Sequence, residues 1–168
     1  MDLKALVIYG SRYGATAEIA EKIGGFLTDS GMSVDVSSAK KSGSPGSYDV
    51  IVIGSALYLG QWRKEVIKFI KRNMDALTGK KVWMFSSGPT GNEDPMKGVQ
   101  GRLYPEKLQA AIDAIKPIDI TVFHGNLAKD KLSGFEKLVI DKVNAPLGDF
   151  RDWDSIEKWS KRITSRKK

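Results

Sequence analysis

Leu3-Lys-Ala-Leu-Val-Ile-Tyr-Gly-Ser-Arg-Tyr-Gly-Ala-Thr16 reads as a strand, a small polar turn and the opening of a helix. Leu3 to Tyr9 is an apolar, β-branched run of strand length. From Ala15 to Asp29 the residues Ile19, Ala20, Ile23, Phe26 and Leu27 share one face at helical spacing, and Gly31 ends the run. Between them lies Gly10–Thr16. Amides at a helix start have no helical partners, and the helix dipole adds positive potential. Small residues let a phosphate approach that backbone, with Ser11 and Thr16 as hydroxyl donors. The competing reading is a plain strand–helix turn capped by Ser or Thr.

Outward from this stretch the same alternation repeats. Ser33–Ser37 alternates with period two, Lys41–Ser47 is a loop, and Asp49–Gly54 reads as a strand buried on both faces. The spacing predicts a basic amphipathic helix over Gln61–Asn73, with Val66, Ile67, Phe69 and Ile70 inward, then a strand over Lys81–Ser86. Asn92–Tyr104 is glycine-rich and irregular. Pro105–Ile115 is helical and Ile118–Phe123 is a fifth strand. Two helices follow, Leu132–Asn144 and Trp153–Ile163. The second buries Trp153, Ile156, Trp159 and Ile163, with Asp152 or Asp154 as its cap. The first has Lys137 and Lys142 beside Phe135, Leu138, Val139 and Val143. Its polar face is mixed in charge, so a core helix is preferred to one lying on a membrane. Strands that alternate with helices imply a parallel sheet covered on both faces. Ligands then bind beyond the carboxyl ends of the strands, which points to the segments after strands one, three and four.

Composition removes several chemistries. The 168 residues include 27 Lys and Arg, 20 Asp and Glu, one His and no Cys. A disulfide, an iron–sulfur cluster, a thiolate nucleophile and a Cys-type zinc site are excluded, and one His rules out a multi-histidine metal site. No metal is expected. The length suits a single domain over 1–168 with a basic tail at about 164–168. Met-Asp-Leu-Lys runs straight into a strand and no long apolar run exists, so a cytoplasmic protein without signal peptide or membrane span is expected. The net charge of +7 is uneven: Gln61 to Lys81 holds seven basic residues against two acids. Acidic partners suit such a surface.

The remaining strand ends complement the first. Ser55-Ala-Leu-Tyr-Leu-Gly-Gln-Trp62 sets apolar and aromatic groups where solvent is expected, as a flat aromatic ligand requires. Packing of Tyr58 and Trp62 on the next helix is the alternative. Ser86-Ser-Gly-Pro-Thr-Gly-Asn92 can offer backbone groups to the edge of a heterocycle. The sequence lacks G-x-x-x-x-G-K-[ST], G-x-G-x-x-G and G-x-S-x-G, and no acids end strands one and three as a phosphoryl-accepting receiver requires. His124 stands alone without a nucleophile. A monophosphate at one strand end and a flat ring at the other two describe flavin mononucleotide, FMN.

Ser11-Arg-Tyr-Gly-Ala-Thr16 resembles the [ST]-x-[ST]-G-x-T phosphate loop of the flavodoxin family, with Tyr13 in place of a hydroxyl-bearing Ser or Thr. Tyr13 is therefore assigned a backbone contact. Tyr48–Ala56, Phe-His-Gly-Asn-Leu (123–127) and Gly-Asp-Phe-Arg-Asp-Trp (148–153) are similar to the branch related to menaquinone-linked protoporphyrinogen IX dehydrogenase. The resemblance implies a three-layer α/β sandwich with a five-stranded parallel sheet of order 2-1-3-4-5. It implies non-covalent FMN with Ser11, Arg12, Tyr13, Gly14, Ala15 and Thr16 on the phosphate. Ala56, Leu57, Tyr58, Leu59 and Gly60 would flank the ring, with Ser87, Gly88, Pro89, Thr90 and Gly91 opposite. It further implies an FMN-dependent oxidoreductase acting on a reduced tetrapyrrole and passing electrons to a quinone, with peripheral contact at the inner face of an anionic membrane and no nucleic acid. No side chain stands out as acid or base. A flavodoxin-like electron carrier and an FMN-dependent NAD(P)H:quinone reductase are the alternatives. Electron-shuttling members of the family are strongly acidic, whereas this chain is basic.

Overall fold

Residues 2–165 are described by a computed structural model. The strands β1 (Lys4–Gly10), β2 (Ser33–Ser38), β3 (Val50–Tyr58), β5 (Lys81–Ser87) and β6 (Asp119–Phe123) form one parallel sheet of order β2-β1-β3-β5-β6. Counting these long strands alone, that is the 2-1-3-4-5 order. β4 (Gln61–Trp62) pairs antiparallel with the end of β3.

The period-two pattern of each strand sends alternate residues to opposite layers. Leu6, Ile8, Ile51, Ile53, Val82 and Met84 pack beneath α2 (Lys64–Arg72), α3 (Met74–Leu77) and α5 (Gln109–Ile115). Ala5, Val7, Val50, Val52, Trp83 and Phe85 face α1 (Ala15–Asp29) and α7 (Trp153–Ser165). The short α4 (Pro95–Gly98) sits within the glycine-rich segment read as irregular. Thr164 and Ser165 of the expected tail belong to α7, and 166–168 lie outside the described residues. Among the described residues no helix is long and apolar enough to cross a membrane.

Two expectations change. Gln61–Trp62, read as the start of a helix, is the return strand of a hairpin: Leu57 pairs with Trp62 and Tyr58 with Gln61. Leu59 and Gly60 turn the chain at φ 47° and 73°, both left-handed, as a two-residue hairpin loop requires. Glycine adopts that conformation freely, whereas Leu59 holds it under strain. The hairpin draws Trp62 into the core with Val66 and Ile70. The second change concerns α6 (Gly134–Val143), which lies between β7 (Asn126–Leu127) and β8 (Gly148–Asp149). Those strands form a separate antiparallel ribbon, and α6 is no core helix: its single buried residue is Glu136.

Candidate functional site

The carboxyl ends of β1, β3 and β5 meet at a pocket, as the strand order demands. Ser11, Arg12, Tyr13, Ala15 and Thr16 line one wall. Ala56, Leu57 and Tyr58 line the second, and Ser87 and Gly88 the third. Gly125, Asn126 and Leu127 close it, and these the strand-end reading had missed. Their signal was present in the string Phe-His-Gly-Asn-Leu, which follows β6 directly.

The first wall is built around the α1 N-terminus. Gly14 at the N-cap has no side chain to offer, and the first helical bond runs from Glu18 N–H to the Gly14 carbonyl at 3.0 Å. The amides of Ala15, Thr16 and Ala17 are left over by this arrangement. Ser11 Oγ accepts from the Gly14 amide at 2.9 Å, which folds the turn back on itself. Thr16, buried, shares a hydrogen bond with Ser87 at 2.8 Å between hydroxyl oxygens, tying the start of α1 to the end of β5.

The facing walls approach closely. A Cβ on Gly88 would stand 2.6 Å from the Leu57 carbonyl oxygen, so only glycine lets these two chains meet. Past Gly88 the loop turns away. Pro89, Thr90 and Gly91 line an adjoining cavity with Asn92, Asp94 and His124. His124 Nδ1 lies 3.1 Å from the Pro89 carbonyl oxygen, so the lone His fastens this loop. Leu59 and Gly60 stand at the hairpin tip, outside the pocket lining, and Leu59 is exposed.

Arg12 organises the rim. Its guanidinium lies over the Tyr58 ring at 4.6 Å, its Nε donates to the Tyr13 hydroxyl at 2.7 Å, and it forms an ion pair with Glu136 of α6. Tyr13 thus uses its side chain to hold Arg12, while Lys131 Nζ donates to its carbonyl at 3.2 Å. Arg63 donates through Nε to Glu65 at 3.1 Å. Burial works to raise Glu65, but hydrogen bonds from its own backbone and from Arg63 hold its carboxyl below the usual value.

The string Gly148–Trp153 has a structural role. Arg151, almost buried, pairs with Glu18 of α1 and with Asp149 at 2.7 Å, and lies over Trp153 at 4.8 Å. The Arg151 bond holds the Asp149 carboxyl below its ordinary value, and Asp149 in turn raises Arg151. Asp152 is the cap of α7, accepting from the Ser155 amide at 3.1 Å.

A model of the flavodoxin domain matches residues 6–154. The chain belongs to the flavodoxin domain family. It is similar to "Protoporphyrinogen IX dehydrogenase [quinone]" of Escherichia coli K12, at 20% identity over 172 residues, covering 96% of this chain and 94% of that protein. Among solved structures, the flavodoxin of Streptococcus pneumonia TIGR4 superposes with a TM-score of 0.63 at 16% identity, covering 97% of this chain and 99% of that one. A short-chain flavodoxin associated with a non-canonical PDU bacterial microcompartment gives 0.64 at 17% identity, covering 97% of both chains. These likenesses agree with the sheet order and with helices on both faces.

The residues present in this flavodoxin domain fit a flavin monophosphate. The leftover amides of Ala15–Ala17 and the buried Thr16 hydroxyl suit a phosphate, and the pocket beside them is lined by Ala56, Leu57 and Tyr58 together with Ser87, Gly88 and Asn126, apolar and polar groups at once.

Proposed function

We propose that the chain binds FMN non-covalently and acts as an oxidoreductase that takes electrons from a reduced tetrapyrrole of the protoporphyrinogen type and passes them to a quinone. The observation that carries the reading is the uncapped α1 N-terminus, joined by the Thr16–Ser87 bond to a slot walled by Tyr58 and Gly88. Residues 11–16 would hold the phosphate, and 56–58, 87–88 and 125–127 would line the site of the ring. FMN would supply the redox chemistry, and the protein supplies position, exclusion of water and field. Arg12 and Tyr58 cover the rim, and Gly88 lets the ends of β3 and β5 pack together without a side chain between them. The basic charge of the chain, and the basic α2 that starts beside the hairpin, suit a substrate bearing carboxylates. Contact with an anionic bilayer belongs to the same reading, since it would bring the protein to a lipid-soluble acceptor.

The test has two stages. Visible absorption during titration should show FMN bound and riboflavin held far more weakly. Thr16→Ala should weaken FMN by about 1.5–3 kcal/mol, one charge-assisted hydrogen bond. Equal affinity for FMN and riboflavin would remove the phosphate site. Anaerobic mixing of the loaded protein with protoporphyrinogen and a menaquinone analogue then separates the readings. Turnover supports the dehydrogenase, and reduction by NAD(P)H would instead indicate a quinone reductase. A protein that exchanges electrons only with other redox proteins is a carrier.

A further inference from the structure

We infer that α6 and the segment after it form the surface by which this protein docks on an anionic lipid bilayer. This names the surface for the membrane contact in the reading above and is independent of its redox chemistry. Phe135, Leu138, Val143 and Leu147 are 75%, 69%, 55% and 44% exposed. Four of the six exposed large hydrophobic side chains among the described residues thus fall within one short segment. At 100° per residue, Leu138, Lys142, Phe135 and Val139 occupy one outward arc, while Glu136 points inward. Soluble surfaces carry such residues singly, and a cluster of them marks an interaction site.

The occupant follows from charge and size. Residues 129–142 carry Lys129, Lys131, Lys137 and Lys142 against Asp130 and Asp141, and the remaining acid, Glu136, is paired with Arg12. An apolar arc that carries Lys142, within a segment of net positive charge, matches the boundary between acyl chains and anionic headgroups. Four partly exposed side chains fall well short of the roughly 800 Å² that each partner contributes to a standard protein interface. Shallow insertion into lipid needs no complementary surface of that size.

The position of α6 supports the same conclusion. Glu136 accepts from the Ser133 amide at 2.8 Å and Glu136 N–H donates to Ser133 Oγ at 3.2 Å, a capping box that fixes the helix start. The same carboxylate holds Arg12 over Tyr58. The exposed arc is therefore fastened beside the strand-end pocket, and a docked bilayer would lie next to the pocket rim.

Flotation of the full chain with phosphatidylcholine vesicles, with and without phosphatidylglycerol, tests the inference. Binding should require phosphatidylglycerol and weaken as salt rises. The double variant Phe135→Ser, Leu138→Ser should lower partitioning at least about tenfold. Lys137→Glu with Lys142→Glu should abolish the preference for the anionic lipid. Phe135, Leu138 and Lys142 are exposed and Lys137 is half-buried, and none of them lines the pocket, so the melting temperature and FMN affinity should match the parent protein. Absence of vesicle binding would overturn the inference, and so would binding that the Ser variant leaves unchanged. A dimer in sedimentation velocity that the Ser variant abolishes would assign the arc to a second copy instead. Vesicle binding by a chain that takes no FMN would leave this inference standing and remove the redox reading.

Discussion

The helices α6 and α7 carry similar sequence patterns and have opposite fates. In α7, Ile156, Trp159 and Ile163 are buried against the sheet. Trp159 meets Trp83 edge-on at 5.7 Å and Phe123 at 5.6 Å, and its Nε1 donates to Asp119 at 2.9 Å. In α6 the buried residue is a carboxylate, while Phe135, Leu138 and Val143 are exposed. A helical apolar stripe states that one face avoids water. It does not state what covers that face. α7 follows the β7–β8 ribbon back over the sheet beside α1, whereas α6 is held between the strands of that ribbon.

The sharpest test of this contrast is truncation of one aromatic on each helix. Trp159→Ala should cost about 3–5 kcal/mol in urea unfolding, because it opens a cavity among aromatic rings and leaves Asp119 with Arg162 alone. Phe135→Ala should change stability by less than about 0.5 kcal/mol. A comparable loss at Phe135 would show that α6 is covered in solution and would break the comparison.

A smaller effect is expected where α6 is anchored. Glu136→Ala removes half of the capping box and the partner of Arg12, and should cost about 1–2 kcal/mol. Hydrogen exchange should accelerate in α6 and leave α7 protected. Uniform acceleration would mean that the two helices open together.

The smallest effect lies at the junction between them. Arg151 holds the Asp149 carboxyl below its unfolded value. The stability this gives is present above the unfolded pKa and is lost as pH falls through the lower, folded value. Asp149 is partly exposed, so solvent screening limits the contribution to less than about 1 kcal/mol. In acid titrations of unfolding free energy, Asp149→Asn should flatten the acid limb slightly and leave neutral stability lower. An unchanged acid limb would assign the pH dependence to other carboxylates.

Much of the site was legible because local chemistry specified it. Ser11–Thr16 had to be a small polar turn, since β1 ends and α1 begins there, and both events are written in periodicity. The hairpin at Leu59–Gly60 was not legible. Leucine gives no signal for a left-handed turn, and Gln61-Trp62 continues the amphipathic pattern of α2 without a break. Gly125–Leu127 could be placed in the pocket only once β6 was known to lie beside β5.

By itself, the sequence determined the alternation of strands and helices, the strand-end loops that a ligand would meet and the basic charge, because these depend on neighbours a few residues apart. Tertiary structure decided which apolar faces are covered. It turned Trp62 into the core, closed Arg12 on Glu136 across more than a hundred residues and left Phe135 and Leu138 outside. The physical reason is that burial depends on what stands opposite a side chain, and that partner is set by chain topology.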